Sequence, residues 1–139
     1  NTPSLLAVED HLDALRWAKG LGLEGLVKRS EDNLEILSRW IKRSNWIEFL
    51  AEDEGIRSST SICMKIIDPW FTSQTVSTQK ETIKRLVSIL ESESVAYDIG
   101  SYRDAPPGLR IWGGSTVETH DIELLIPWLD WAWLKVKTN

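Results

Sequence analysis

The chain has 139 residues, a formal net charge of −5 and 27% charged residues, which is the composition of one globular domain of ordinary size. Its acidic balance, without a basic stripe, argues against nucleic-acid binding. No apolar run approaches the about 20 residues that cross a bilayer, and the start has no signal-peptide pattern. It also lacks an initiator methionine, from which we expect a fragment or a processed chain. The single Cys63 favours a reducing, cytoplasmic location, and we expect it to be a buried structural thiol.

The first predicted element is a helix in the leading segment 1–22. Apolar residues recur at helical spacing between Leu5 and Leu15, and this pattern predicts one solvated face and one packed face. Gly20 and Gly22 then mark the end of the helix, because glycine is the common residue just past a helix end.

The remaining elements predict an α+β fold. Their order is helix, strand, strand, helix, strand, strand, helix, which makes a small antiparallel or mixed sheet with helices packed on one face. They are predicted at about 24–43, 46–50, 59–67, 77–92, 95–99, 109–112 and 120–136. Pro127 lies inside the last helix, where an interior proline removes a backbone hydrogen bond, so we expect a kink or a restart there.

Tryptophan is unusually frequent, with eight in the chain. Core and interface packing is the preferred interpretation for most of them. Trp128, Trp131 and Trp133 stand so close together that they cannot all point inward from one helix. We therefore expect part of this cluster to face another domain or subunit.

The segment with the most distinctive binding chemistry is centred on Arg110. In a strand, Arg110 and Trp112 would share one face, and a guanidinium on a rigid strand binds a planar carboxylate through two parallel hydrogen bonds. By spacing alone, however, an ordinary exposed arginine is the preferred interpretation. The two histidines, His11 and His120, do not stand at metal-ligand spacing, so the sequence predicts no metal site.

Residues 97–118 and 126–132 resemble the C-terminal part of the phosphoserine aminotransferase family, within the class V, fold-type I pyridoxal-phosphate enzymes. The most specific match is Ala-Pro-Pro-Gly-Leu-Arg-Ile-Trp at 105–112, and the likeness extends over nearly the whole chain. The resemblance implies the small domain, 1–139, of an enzyme of serine biosynthesis, with 1–22 as an inter-domain, leading helix segment. That enzyme passes an amino group between phosphoserine with 3-phosphohydroxypyruvate and glutamate with 2-oxoglutarate.

The resemblance also implies roles for individual residues. Arg110 matches the arginine that holds the α-carboxylate of the substrate. Asn1 and Thr2 match a motif that reaches the cofactor phosphate of the other subunit in a homodimer. From their charge, Arg103 and Arg57 are candidates for the substrate phosphate, with solvent-exposed arginines as the alternative.

The chain departs from the family in one respect. None of its lysines has the family's Schiff-base context, so we assign it no catalytic residue. We expect the fragment alone to be inactive, with pyridoxal phosphate bound in the complete enzyme by a large domain. Two alternatives stay open: the small domain of another class V aminotransferase, and a free-standing binding module without catalysis.

Overall fold

The computed structural model describes residues 4–138, which form helices and a small antiparallel sheet. In chain order the elements are α1 (Leu5–Ile41), β1 (Ile47–Phe49), a 3₁₀ turn (Glu54–Ile56), β2 (Ser61–Ile66), α2 (Pro69–Thr72), α3 (Val76–Ser92), β3 (Gly108–Trp112) and α4 (Thr119–Thr138). The combination of helices with a three-stranded antiparallel sheet confirms the predicted α+β class, and the short helix α2 was not predicted. Among the described residues, no helix is long and apolar enough to cross a membrane.

Helix α1 consists of two helical halves that meet at Gly22. The backbone there has φ 70 and ψ 166, a conformation that glycine adopts without steric cost and that interrupts the helix. The predicted break at this glycine is thereby confirmed. Within the described residues the apolar side chains of the first half are exposed, Leu5 to 81% and Leu15 to 51%, so the packed face of this half stays a prediction.

The three strands pair in the order β1-β2-β3, with both pairs antiparallel. One face of this sheet carries the apolar residues and packs into the core, because side chains alternate between the two faces of a strand. The buried residues of that face are Ile47, Phe49, Ile62, Met64, Ile66, Leu109 and Ile111. The opposite, open face carries Glu48, Cys63, Lys65 and Arg110, and Cys63 is half-buried there rather than fully buried as predicted.

The predicted strand at 95–99 is wrong. Ser94 and Asp98 have φ of 58 and 52, and such left-handed residues interrupt an extended chain. Slightly later in the chain, Ile99 and Gly100 contact β3. Arg110 N donates to Ile99 O at 2.8 Å, and Gly100 forms a bridge with Leu109. The segment therefore lies along the edge of β3 without forming a regular strand.

Helix α4 closes the core against α1 and α3. Leu129, Ala132 and Val136 are almost fully buried. The helix is continuous through Pro127, so the expected restart is wrong. Pro127 is exposed, and on that side water can satisfy the carbonyl that loses its partner.

The tryptophan cluster of α4 divides between core and surface. Trp133 is 2% exposed, whereas Trp128 and Trp131 are 38% and 37% exposed. The prediction that the cluster does not point inward as a whole is confirmed.

Candidate functional site

Arg110 lies in the middle of β3, directly across from Cys63 of β2. Its side chain is 19% exposed, and Nη2 donates to two oxygens of Asp98, the carboxylate Oδ2 at 3.0 Å and the backbone oxygen at 3.2 Å. Its guanidinium carbon lies 4.5 Å from the centroid of the Tyr102 ring, which is a cation–π distance. The strand thus holds a cation between one carboxylate and one aromatic ring.

The hydrogen-bonding capacity of Arg110 is not exhausted by these contacts. A guanidinium carries five N–H donors, and within residues 4–138 the side-chain donor that finds partners is Nη2. The Nε atom is buried without a hydrogen-bond partner among the described residues. Buried donors are nearly always paired, so an unpaired one is consistent with a partner that arrives with a ligand.

Arg103 lines a groove between α3 and the loop that precedes β3. The groove has a volume of about 500 Å³, and Asp98 and Tyr102 form part of its wall. Both of these residues also contact Arg110. Asp98 and Tyr102 therefore connect the groove that Arg103 lines with Arg110 on β3.

Arg57 follows the 3₁₀ turn, and its guanidinium is engaged by its own loop. Nε donates to Ala51 O at 2.9 Å, Nη2 donates to Glu52 O at 2.8 Å and Nη1 donates to Glu54 Oε1 at 3.1 Å. The same group lies 4.3 Å from the Phe49 ring centroid. Within the described residues Arg57 shares no contact with Arg110, so the structure does not bring these two predicted site residues together.

Lys65 is the lysine on the same sheet face as Arg110. Its Nζ lies 2.9 Å from Glu52 Oε1 and 3.7 Å from Glu48 Oε2. The hydrogen bond with Glu52 raises the pKa of Lys65 above its ordinary value, against a smaller opposing effect of burial. The amine of Lys65 is therefore held in its protonated form.

The backbone around Arg110 depends on close approaches between strands and loops. A Cβ at Gly108 would collide with the backbone oxygen of Met64. Buried Asn33 of α1 donates to Gly113 O at 3.0 Å and to Val117 O at 3.1 Å, which ties down the loop that leaves β3. These contacts fix both ends of the strand that carries Arg110.

Sequence reasoning missed Asp98 and Tyr102 as neighbours of Arg110. The signal for Asp98 was its position in Asp-Ile-Gly at 98–100, because aspartate tolerates left-handed backbone in a turn. The proposed cofactor contacts Asn1 and Thr2 lie outside the described residues. Among residues 4–138, no group of histidine, cysteine and acidic side chains could hold a metal ion.

Two curated relatives match almost the whole chain. The phosphoserine aminotransferase of Methanosarcina mazei is 49% identical over 138 residues, which is 99% of this chain and 35% of the relative. The phosphoserine aminotransferase of Methanosarcina barkeri is 50% identical over the same share of each protein. The chain thus spans about a third of the length of these relatives. No family model matches the chain.

Solved structures show the same fold. A phosphoserine aminotransferase from Bacillus circulans subsp. alkalophilus superposes with a TM-score of 0.75 at 20% identity, over 97% of this chain and 34% of the other. One from Cytophaga hutchinsonii superposes with a TM-score of 0.58 at 17% identity, over 81% of this chain and 28% of the other. The chain therefore has the α+β fold of the matching part of these solved structures. Over 99% of its length the chain is similar to the phosphoserine aminotransferases, and it corresponds to about a third of each of these relatives.

Proposed function

We propose that the chain is the C-terminal domain of a pyridoxal-phosphate-dependent phosphoserine aminotransferase and supplies its substrate α-carboxylate site. The complete enzyme would exchange an amino group between phosphoserine with 3-phosphohydroxypyruvate and glutamate with 2-oxoglutarate. The observation that carries the proposal is Arg110, a strand-mounted guanidinium with unused donors in a chain about 50% identical to named phosphoserine aminotransferases.

Arg110 would bind the α-carboxylate that both substrates share. Its placement on a paired strand keeps the guanidinium in position before a ligand arrives, which lowers the entropic cost of binding. Two parallel N–H···O bonds would then fix the plane of the carboxylate and thereby the orientation of the reacting carbon.

We assign the phosphate of the substrate to Arg103 ahead of Arg57. Arg103 is exposed and shares its groove with two further cations, Lys80 and Lys84. The donors of Arg57 are engaged by its own loop, so phosphate binding there would require breaking existing hydrogen bonds. The net charge of −5 makes such placed cations necessary for an anionic ligand.

Lys65, the lysine nearest to Arg110 on the sheet, does not fit the role of cofactor anchor. The cofactor, when bound, supplies an electron sink and is held by a lysine that must react as a neutral amine. Lys65, the lysine on the Arg110 face, has a raised pKa and is paired with Glu52. We therefore place the cofactor lysine in the remaining two thirds of the enzyme. The contact of Asn1 and Thr2 with the cofactor phosphate of a partner subunit is likewise proposed, supported by the family resemblance alone.

The first half of α1 would pack against that remaining part of the enzyme. Leu5, Leu6 and Leu15 are 81%, 73% and 51% exposed, and Trp17 is 43% exposed. Apolar side chains repeated along one helix indicate a surface that is covered in the complete protein. This supports the assignment of 1–22 as an inter-domain segment.

Transamination by the complete protein tests the proposal, with phosphoserine and 2-oxoglutarate as substrates. R103A should raise KM for phosphoserine about tenfold, the effect of losing one charge-assisted hydrogen bond, and leave KM for glutamate unchanged. R57A should mainly lower stability. The function would be refuted by a complete protein without this activity, and the phosphate assignment by an R57A effect larger than that of R103A.

A further inference from the structure

Asp98 makes the one ion pair that Arg110 has among the described residues, and no role follows for it from the proposed reaction. We propose that Asp98 is a gating carboxylate, which occupies Arg110 in the free enzyme and is displaced by the substrate carboxylate. This inference rests on the proposed function and adds a residue that sets the affinity of the same site.

The competition follows from the geometry of the guanidinium. A carboxylate binds it through two parallel bonds, either to Nε and Nη2 or to Nη1 and Nη2, so both arrangements use Nη2. In the structure Nη2 donates to Asp98 Oδ2 and to Asp98 O, which gives its two hydrogens two acceptors on one residue. A substrate carboxylate must therefore take at least one of these bonds from Asp98.

Asp98 is also placed so that it can leave. Its side chain is 92% exposed, and water can solvate the carboxylate as soon as it leaves Arg110. Ion pairs this exposed contribute little to stability, so their exchange for a better-placed anion is favourable. The partner, Arg110, is only 19% exposed and stays fixed on β3.

The backbone conformation of Asp98 determines which substitutions are suitable for a test. Its φ of 52 lies in the left-handed region, which aspartate, asparagine and glycine adopt more readily than other residues. Asparagine and glycine are therefore suitable substitutions. D98N removes the charge and retains the shape of the side chain. D98G removes the whole side chain, and glycine readily adopts the left-handed backbone conformation.

The test uses the complete holoenzyme that contains these residues. D98N and D98G should each lower KM for glutamate and for phosphoserine about two- to fivefold, the range expected for release of an exposed ion pair. We expect kcat to change by less than about twofold, because Asp98 would not touch the reacting atoms. D104N removes an equal charge from the same loop, where Asp104 forms no ion pair within residues 4–138, and it should leave KM unchanged.

The outcomes separate this inference from the proposed function. If R110Q raises KM for glutamate and phosphoserine and both Asp98 variants lower these KM values, the gating role is supported. If R110Q raises KM while the Asp98 variants raise it or leave it unchanged, Asp98 positions Arg110 or is inert, and gating is overturned although the carboxylate site stands. If R110Q leaves both KM values unchanged, the assignment of the carboxylate site to Arg110 is wrong, and so is the gating role of Asp98.

Discussion

Asp130 of α4 accepts a hydrogen bond from the indole Nε1 of Trp46 at 2.8 Å, and so joins the last helix to the edge of the sheet. The same carboxylate oxygen accepts from Trp40 Nε1 at 3.1 Å. The Trp46 ring also stacks on Trp133, with centroids 4.8 Å apart and an angle of 7° between the planes. Because buried indole N–H groups need an acceptor, one carboxylate satisfies two tryptophans of the core.

Removal of this carboxylate should destabilise the fold. D130A leaves the N–H groups of Trp40 and Trp46 without their acceptor, and we expect a loss of about 2 kcal/mol or more in the free energy of unfolding. Urea denaturation followed by tryptophan fluorescence measures it. The matched control is D121A, on the exposed side of the same helix, which should cost less than about 1 kcal/mol. Equal losses in the two variants would contradict the role of Asp130.

A second buried carboxylate, Asp68, should make stability depend on pH. Burial raises its pKa, but hydrogen bonds from Lys137 Nζ at 2.7 Å, Trp70 N at 2.9 Å and Trp133 Nε1 at 3.2 Å outweigh that effect and lower the pKa below its ordinary value of 3.8. A lowered folded-state pKa gives stability that is present above the unfolded-state pKa. That stability is lost as the pH falls through the folded-state pKa.

The variant D68N isolates this effect. The difference in the free energy of unfolding between the native protein and D68N should be constant near neutral pH. It should shrink as the pH falls below about 4, because Asp68 then takes up a proton on unfolding. Urea titrations at a series of pH values give the two curves. A difference that stays constant down to pH 2 would show that Asp68 does not titrate as described.

Sequence patterns predicted the long helices α1, α3 and α4 and the three paired strands because each has a clear apolar period and turn residues at its ends. They missed the single-turn helix α2, which is too short to show such a period. They failed at 95–99, where Val95, Tyr97 and Ile99 alternate as in a strand. The backbone at Ser94 and Asp98 is left-handed, and neither residue type requires this. They also failed to show that the first half of α1 is exposed, since an apolar stripe does not reveal which part of a protein covers it.

Gly108 should be essential for the pairing of β2 with β3. G108A places a Cβ against the backbone oxygen of Met64, so the strands must separate beside Arg110. We expect a loss of more than about 2 kcal/mol in the free energy of unfolding, since a backbone clash cannot relax by a change of rotamer. The control is G20A in α1, where no atom lies within 4 Å of the added Cβ. It should be neutral or stabilise the helix by about 0.5–1 kcal/mol, and a G108A variant as stable as G20A would contradict this account.

The candidate site was only partly predictable from the sequence. Arg110 was found through the family motif around it, since its local chemistry did not distinguish it from an exposed arginine. Asp98 and Tyr102 contact it because the chain turns back along β3. Asp-Ile-Gly at 98–100 is typical of a turn, but it does not show which strand the turn packs on. The hydrogen bonds from Arg57 to Ala51 O and Glu52 O could not be predicted from the sequence either, because backbone carbonyls accept hydrogen bonds whatever the side chain is.

The central claim is that Arg110 binds the substrate α-carboxylate, and substrate discrimination by the complete enzyme tests it most directly. Glutamate and 4-aminobutyrate differ only in that carboxylate. R110Q should lower kcat/KM for glutamate about 100-fold and change that for 4-aminobutyrate by less than about threefold, because the lost interaction is absent with the second substrate. An R110Q enzyme that still prefers glutamate as strongly as the native enzyme would contradict the account.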